Sequence, residues 1–511
     1  MKRYCMKQRA LRGGCRHGKQ YMTMCDEKNN IRNALADIVS HEYVATDQTA
    51  VFAYSRDASL FGGTDAAVVV RPGSTEEVSS IMKFAYRHDI PVVVRGGGSS
   101  IYGQPRGTPG ANVLLDMTRM NRVLDIDKQA MTVSAQAGIM MGKLQQACNR
   151  AGLYIFVPAA PVHTVSLGGW LSGAAGGGGI WRETISITVV LPDGTVVTTG
   201  GGPGTNIRQR HYFSRNIGGP DFAGMFIGDG GSFGVKTEAA VRLLGLPTVT
   251  RACILEFTDL EKVLELVRRH GERINPHPFD PLLVFGPGTM ELFSSGSNGE
   301  EKFTVMGLMQ GHTEREMDAK KEIFNDIAES LGGTHTPELD AMTDIMAGGG
   351  EGEEKMEMFG LSFFNGLGLA AWLPFNIPRV SLPEIYPKLI AWREKRLEEA
   401  ARRGFECCAR FEFFTPSDQC SLSGEIDAFF KDMDSPELRE FVRNMIVDYQ
   451  KYTHELGLQD VYNQGIMSSL NAACWSPGFK SLYTTVKNSL DPRGILNPGL
   501  WIETRDDKKE Q

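Results

Sequence analysis

A strand-like segment, Pro91 to Val94, runs directly into Arg95-Gly96-Gly97-Gly98-Ser99-Ser100-Ile101-Tyr102-Gly103, and this junction constrains the chain more than any other stretch. Consecutive glycines let a backbone approach a ligand closely and turn several N–H groups into one concavity. Such a concavity receives an anion. Each amide donated to a charged oxygen contributes roughly 1.5 to 3 kcal/mol, so four or five of them hold a diphosphate even in an acidic protein. Two other phosphate loops fail on context. A Walker loop carries Lys-Ser/Thr after its last glycine, whereas Gln104-Pro105 follows here. A Rossmann fingerprint opens a helix, but Pro105, Gly107, Pro109 and Gly110 follow, which no helix interior tolerates. A tight turn would explain one or two glycines, not three together with the clusters downstream.

Those clusters are Gly168-Gly169-Trp170-Leu171-Ser172-Gly173, continuing to Gly179, and Gly228-Asp229-Gly230-Gly231-Ser232-Phe233-Gly234. Around them strand and helix patterns alternate. Ala66 to Arg71 is β-rich, Ser74-Thr75-Glu76-Glu77 is a capping box, and Val78, Ile81, Met82 and Ala85 share one helical face. Strands are expected near Val113 to Leu115, Val123 to Ile126 and Met131 to Ala135, then a helix from about Met140 that stops at Gly152. After Pro247 the glycine clusters thin out, which marks a boundary near residue 250. Beyond it the patterns predict helices at Leu260 to Arg273, Met317 to Leu331 and 384 to 403. A strand follows from Glu406 to Phe414, with Ala409, Phe411 and Phe413 on one face and Arg410 and Glu412 on the other.

Charge excludes some functions. The formal net charge is -7, and Lys2, Arg3, Lys7, Arg9, Arg12, Arg16 and Lys19 all precede the first acidic residue, Asp26, so the body is more acidic still. An acidic body argues against nucleic acid as a ligand. The basic leader lacks an apolar h-region; it reads as a weak nucleic-acid or membrane-surface arm or, the favoured reading, as untranslated sequence upstream of a start at Met22 or Met24. No stretch is apolar enough to span a bilayer. The nine cysteines form no paired C-x-x-C cluster, so reduced thiols and a cytoplasmic location are the expectation.

On these motifs the chain resembles the vanillyl-alcohol oxidase and p-cresol methylhydroxylase (PCMH-type FAD-binding) family of flavoproteins, over nearly all of residues 62 to 501. The family's diphosphate loop is similar to Arg95 to Gly103, which implies FAD contacts from Gly96, Gly97, Gly98, Ser99, Ser100 and Gly103. Its flavin-contacting segment is similar to Pro158 through Gly179, which implies Pro158, Ser166, Gly168, Gly169 and Ser172. Its adenine-side motif resembles Asp221 to Thr237, implying Gly234 and Val235. Its C-terminal signature resembles Asp491-Pro492-Arg493-Gly494-Ile495-Leu496-Asn497-Pro498-Gly499, implying Asn497. The fold implied is α+β: a two-subdomain PCMH-type FAD-binding domain over 41–250, an inserted antiparallel-sheet cap domain over 251–465, and a C-terminal return over 466–511. Residues 1–40 are expected to be a poorly ordered basic extension. Ser99 and Val162 stand where relatives carry flavin-linking His and Cys, so FAD is expected to be non-covalent, with attachment through a cap residue left open.

Tyr102-Gly103 and the stretch Val113 to Leu124 are most similar to the family branch acting on para-substituted phenols. In that branch a loop tyrosine and a Tyr-Arg pair near the cap's end bind the substrate phenolate. Tyr102 maps to the loop position and Tyr462-Asn463 to the pair, so the arginine is missing. A phenol is held as phenolate near neutral pH only by donors and positive charge, and Arg410 is the candidate cation. The branch's carboxylate near the flavin is replaced by Ser166. The resemblance thus implies hydride transfer to FAD from an alcohol or para-substituted phenol carbon, with Tyr102, Tyr462 and Arg410 as catalytic candidates. A second reading is a 2-hydroxy-acid dehydrogenase, similar at Gly228 to Thr237. Such enzymes carry a histidine-rich metal site, but the ten histidines here form no His-x-His or His-x-x-His pair, and no metal is expected. A third is a non-redox flavoprotein. The electron acceptor is left open between oxygen, a cytochrome and a quinone, and a homodimer is compatible.

Overall fold

The computed structural model describes residues 29–61, 63, 66–103, 112–155, 162–173, 180–217, 219–273, 282–290, 302–335, 366–416, 420–458 and 465–502. Two sheets carry the glycine clusters. In the first, Val44–Ala45 lies antiparallel to Ala66–Val70, which pairs in parallel with Asn112–Asp116, and that strand in turn with Val92–Arg95 at the edge. Their Val- and Leu-rich runs are continuous because both faces are covered. The helix Thr75–Arg87 packs Val78, Ile81, Met82 and Ala85 into this core. Ser74 caps it by accepting from the Glu77 amide at 3.2 Å, as the capping box predicts. The second sheet is antiparallel, ordered Val123–Asp127, Thr132–Gln136, Val235–Arg242, Thr184–Val190, Val196–Thr198.

Part of the expected extension over 1–40 is built into the fold. Residues 29–39 are helical, and Leu35, Ala36 and Val39 are buried in the first sheet's core. Three apolar side chains on one helical face outweigh the basic leader that precedes them.

From Val249 an antiparallel sheet of eight strands takes over. Its order is Thr334–His335, Val249–Phe257, Phe303–Gly311, Leu282–Phe285, Cys407–Pro416, Ser421–Phe430 and Leu369–Ala371, with Pro374–Pro378 also pairing Ser421–Phe430. Alternation along the strands gives two faces. Leu255, Val284, Val305, Phe414 and Ala428 share one core with the helices Leu260–Arg273, Glu314–Ser330, Leu382–Arg402 and Pro436–Glu455. Ile254, Phe285, Met306, Ala409, Phe411 and Phe429 form a separate cluster on the other face.

One buried group gives this cap a pH dependence. His270 is 3% exposed, its ring edge meets Phe324 at a centroid distance of 5.7 Å, and its Nε2 has no hydrogen-bond partner among the described residues. Burial, with the nearby Lys320 charge, pushes its pKa down to about 4. A histidine held neutral in the fold but ionising near 6.5 when unfolded leaves stability complete above pH 6.5 and lost as pH falls toward the folded value. Stability is expected to drop by on the order of 3 kcal/mol between pH 7.5 and pH 4 from this group. Urea unfolding at both pH values checks it, with His270→Leu removing that part of the difference.

Candidate functional site

The glycine loop leaves the edge strand Val92–Arg95 beside the C-terminal signature. The Val92 amide donates to Ile495 O at 2.8 Å, and the Asn497 amide to Val92 O at 2.8 Å. Asn497 holds a left-handed φ of 44°, which asparagine tolerates better than most residues. Its Oδ1 accepts from the Val94 amide at 2.9 Å, while its Nδ2 donates to Gly231 O at 2.8 Å. One side chain therefore ties the glycine loop's entry to the third glycine cluster.

The loop also meets the second cluster backbone to backbone. A Cβ on Gly97 would lie 1.6 Å from Thr164 O, and one on Gly96 would lie 2.3 Å from Ser166 Oγ. Gly98 takes φ of 72° and has the Arg95 guanidinium where a Cβ would sit, at 2.1 Å. Only glycine fits these positions. The amides of Gly97, Gly98, Ser99 and Ser100 donate to no acceptor among the described residues. Arg95 donates to Gly96 O and Arg56 O, both at 3.1 Å, and no carboxylate pairs with it among the described residues. An amide run without acceptors beside an unneutralised guanidinium fits a diphosphate. Gly97 through Ser100 would hold it by their amides and Arg95 would add the charge, so the cradle suits FAD.

The remaining sequence-derived contacts divide by what their atoms do. Ser166 is 1% exposed, and its Oγ accepts from the Gly169 amide at 3.2 Å, capping the helix Leu167–Gly173. Ser172 Oγ donates to Gly168 O at 2.8 Å inside the same helix. The Gly168 amide donates to Ala137 O at 2.7 Å, where a side chain would meet Ala137 Cβ at 2.9 Å. The third cluster docks on that helix, the Gly228 and Gly230 amides donating to Leu171 O and Ser172 O at 2.8 and 2.9 Å. Gly234 leaves space for Val189, whose Cγ1 would stand 2.2 Å from a Cβ, and Val235 is buried at the head of its strand.

Tyr102 is completely buried, in the cluster that also holds Phe61, Phe375 and Met467. Its carbonyl accepts from the Ile466 amide at 3.1 Å, and Gly465 has no room for a Cβ, which would lie 2.1 Å from Gly103 O. The end of the glycine loop is thus fixed to the helix Gly465–Ala473, and Ser100 Oγ closes the turn on Gly103 O at 3.1 Å. Arg410 lies elsewhere. It occupies the helix-covered face of the cap sheet, its guanidinium held by Glu394 at 3.1 and 3.2 Å, so its charge is committed to a carboxylate of the helix layer. Tyr462 and Pro158 lie outside the described residues.

Sequence reasoning missed Arg95 as a site cation and missed two buried ion pairs beneath the cradle. Lys236 meets Asp229 at 2.7 Å, and Lys487 meets Asp491 at 2.7 Å. The i,i+4 spacing of Lys487 and Asp491 at a helix end was the available signal.

Strand, amide loop and capping sheet together define an FAD-binding domain joined to an antiparallel cap. Residues 66–200 match the family described as FAD binding domain. The fold is that of p-cresol methylhydroxylase with substrate bound, at a TM-score of 0.76 and 17% identity over 94% of this chain and 98% of that one. The 4-ethylphenol oxidase from Gulosibacter chungangensis in its isoeugenol complex is similar at 0.74, with 19% identity over 93% and 97%. Over residues 66–200 the chain carries an FAD binding domain, and along its length it shares the fold of those two proteins. Among curated relatives, glycolate oxidase subunit GlcD of Bacillus subtilis is 25% identical over 244 residues, 47% of this chain and 50% of that protein. The matched stretch spans about half the length of such relatives or less. No helix among the described residues is long and apolar enough to cross a membrane.

Proposed function

We propose that the protein is an FAD-dependent oxidoreductase that removes a hydride from an alcohol or para-substituted phenol carbon. Bound FAD supplies the hydride acceptor. The observation that carries the reading is Tyr102, a fully buried phenol at the end of the diphosphate loop, clamped between that loop and the cap-side core. A tyrosine there orients the substrate hydroxyl and exchanges its proton at the phenol oxygen, while the surrounding apolar side chains exclude water. Tyr462 is the proposed second phenol. Arg410 is not included, because Glu394 already holds it. Ser99 and Val162 offer no side chain for a flavin bond, so these two positions favour a non-covalently held cofactor, with attachment through a cap residue left open. A 2-hydroxy acid is the second reading, favoured by the glycolate oxidase match.

Anaerobic mixing with a panel of para-substituted phenols, aryl alcohols and 2-hydroxy acids tests this. Bleaching of the flavin absorbance by phenols or aryl alcohols is expected. Tyr102→Phe should keep its flavin and lose turnover by roughly 100-fold, the scale of a positioned proton-transfer group. Bleaching by 2-hydroxy acids alone would transfer the function to the second reading, and no bleaching by any of them would reject oxidation.

A further inference from the structure

We propose that Lys487 is a positioning residue for the flavin cradle, acting through Asn497 on the entry to the glycine loop; this rests on the reading that FAD binds there. Lys487 lies on the helix Pro477–Leu490 and is 3% exposed. Its ammonium has three N–H groups and three acceptors: Ser232 O at 2.9 Å, Asp491 Oδ2 at 2.7 Å and Leu496 O at 3.0 Å. These belong to two separate chain segments. Ser232 sits in the turn of the third glycine cluster, and Leu496 immediately precedes Asn497.

The carboxylates complete the frame. Asp491 accepts from the Ile495 and Leu496 amides, each at 3.0 Å, which sets the turn that presents Asn497. Asp229 accepts from the Gly231 amide at 2.8 Å, the Phe233 amide at 3.2 Å and Lys236 at 2.7 Å, and its carbonyl accepts from Trp501 Nε1 at 3.0 Å. Lys487 bolts these two turns together, and Asn497 then spans from Gly231 O to the Val94 amide, two residues before Gly96. A buried ammonium is a poor way to stabilise a core that an apolar side chain of the same volume would fill as well. Its use is geometric: it fixes three carbonyl and carboxylate positions from one atom.

The test compares Lys487→Met, Asn497→Ala and the double variant in the full chain, reading FAD affinity by quenching of flavin fluorescence and folding by circular dichroism. Lys487→Met and Asn497→Ala are each expected to raise the FAD dissociation constant at least 10-fold while the protein stays folded. Because both act through one contact, the double variant should bind no more weakly than the weaker single variant. A pH profile adds a readout that general destabilisation would not give. Burial lowers the Lys487 pKa from the ordinary lysine value against the opposing pull of Asp491 and Asp229. The other groups around it are Lys236 on Asp229 and Tyr483 on its own helix, whose phenol burial pushes up. Wild-type FAD affinity should therefore weaken at alkaline pH, and Lys487→Met should lack that limb. A folded Lys487→Met with affinity within twofold of wild type, or an additive double variant, overturns the proposal. If Lys487→Met does not accumulate, Asn497→Ala decides: unchanged affinity in that folded variant overturns it equally. A wild-type protein that binds no FAD rejects the cofactor reading itself.

Discussion

Gly97→Val is expected to give a folded protein that retains almost no FAD, with the dissociation constant raised at least about 100-fold. The reason is a backbone collision. The new Cβ would stand 1.6 Å from Thr164 O, and an ideal side chain at Gly96 is nearly as crowded by Ser166 Oγ at 2.3 Å. A carbonyl cannot rotate away as a flexible side chain can, so the loop and the 162–169 segment must separate. Separation tilts the Gly98, Ser99 and Ser100 amides away from a common point. Losing two charge-assisted amide bonds of roughly 1.5 to 3 kcal/mol each accounts for the expected change. The core sheets do not depend on that contact, so circular dichroism and the melting profile should stay near wild type. Gly271→Ala is the matched control, since no heavy atom lies within 4 Å of its Cβ position. FAD titration of both variants checks the prediction, and retention of normal affinity by Gly97→Val would refute the packing argument.

Glu412→Ala should destabilise the cap by about 3 to 5 kcal/mol, the cost of leaving a buried charge without its partner. Arg393 and Glu412 have side chains only 2% and 5% exposed and meet at 2.6 Å. Tyr386 donates its hydroxyl to the same carboxylate at 3.1 Å, and Thr289 donates to the Glu412 carbonyl at 2.7 Å. Removing the carboxylate strands an arginine whose Nη1 already lacks a partner among the described residues. Glu394, 2.8 Å from the same guanidinium but 38% exposed, compensates only in part. Urea unfolding reads the loss directly. A change below about 1 kcal/mol would place this pair among ordinary surface ion pairs.

Elements whose signal is local were readable from the sequence, and interactions that depend on tertiary placement were not. The Ser74 cap was visible because its partner is three residues away. The faces of the strand Cys407–Pro416 followed from period-two alternation, and Ala409 and Phe411 do share a cluster apart from the helix side. Alternation cannot say what lies opposite each face, which is why Arg410 was assigned to substrate although Glu394 of the neighbouring helix claims it. Three adjacent glycines announced a close backbone approach, yet the carbonyl that demands it, Thr164, lies 67 residues along the chain. Arg95 stands at the loop's entry in the sequence, but nothing local shows that its guanidinium turns back over Gly98. The i,i+4 spacing of Lys487 and Asp491 is visible in the sequence, and only burial and the hydrogen bonds show that the pair joins the third glycine cluster to the C-terminal signature. Residues 29–39 were hidden by the basic stretch before them.

In the proposed holoprotein the amides of Gly97 to Ser100, with Arg95 beside them, hold the diphosphate of FAD. Titrating cofactor-depleted protein with FAD, followed by acid precipitation, tests it most directly. Saturable binding of one FAD per chain is expected, with visible flavin absorbance on the protein and all of that flavin released to the supernatant by acid. Protein that stays colourless with excess FAD would contradict it.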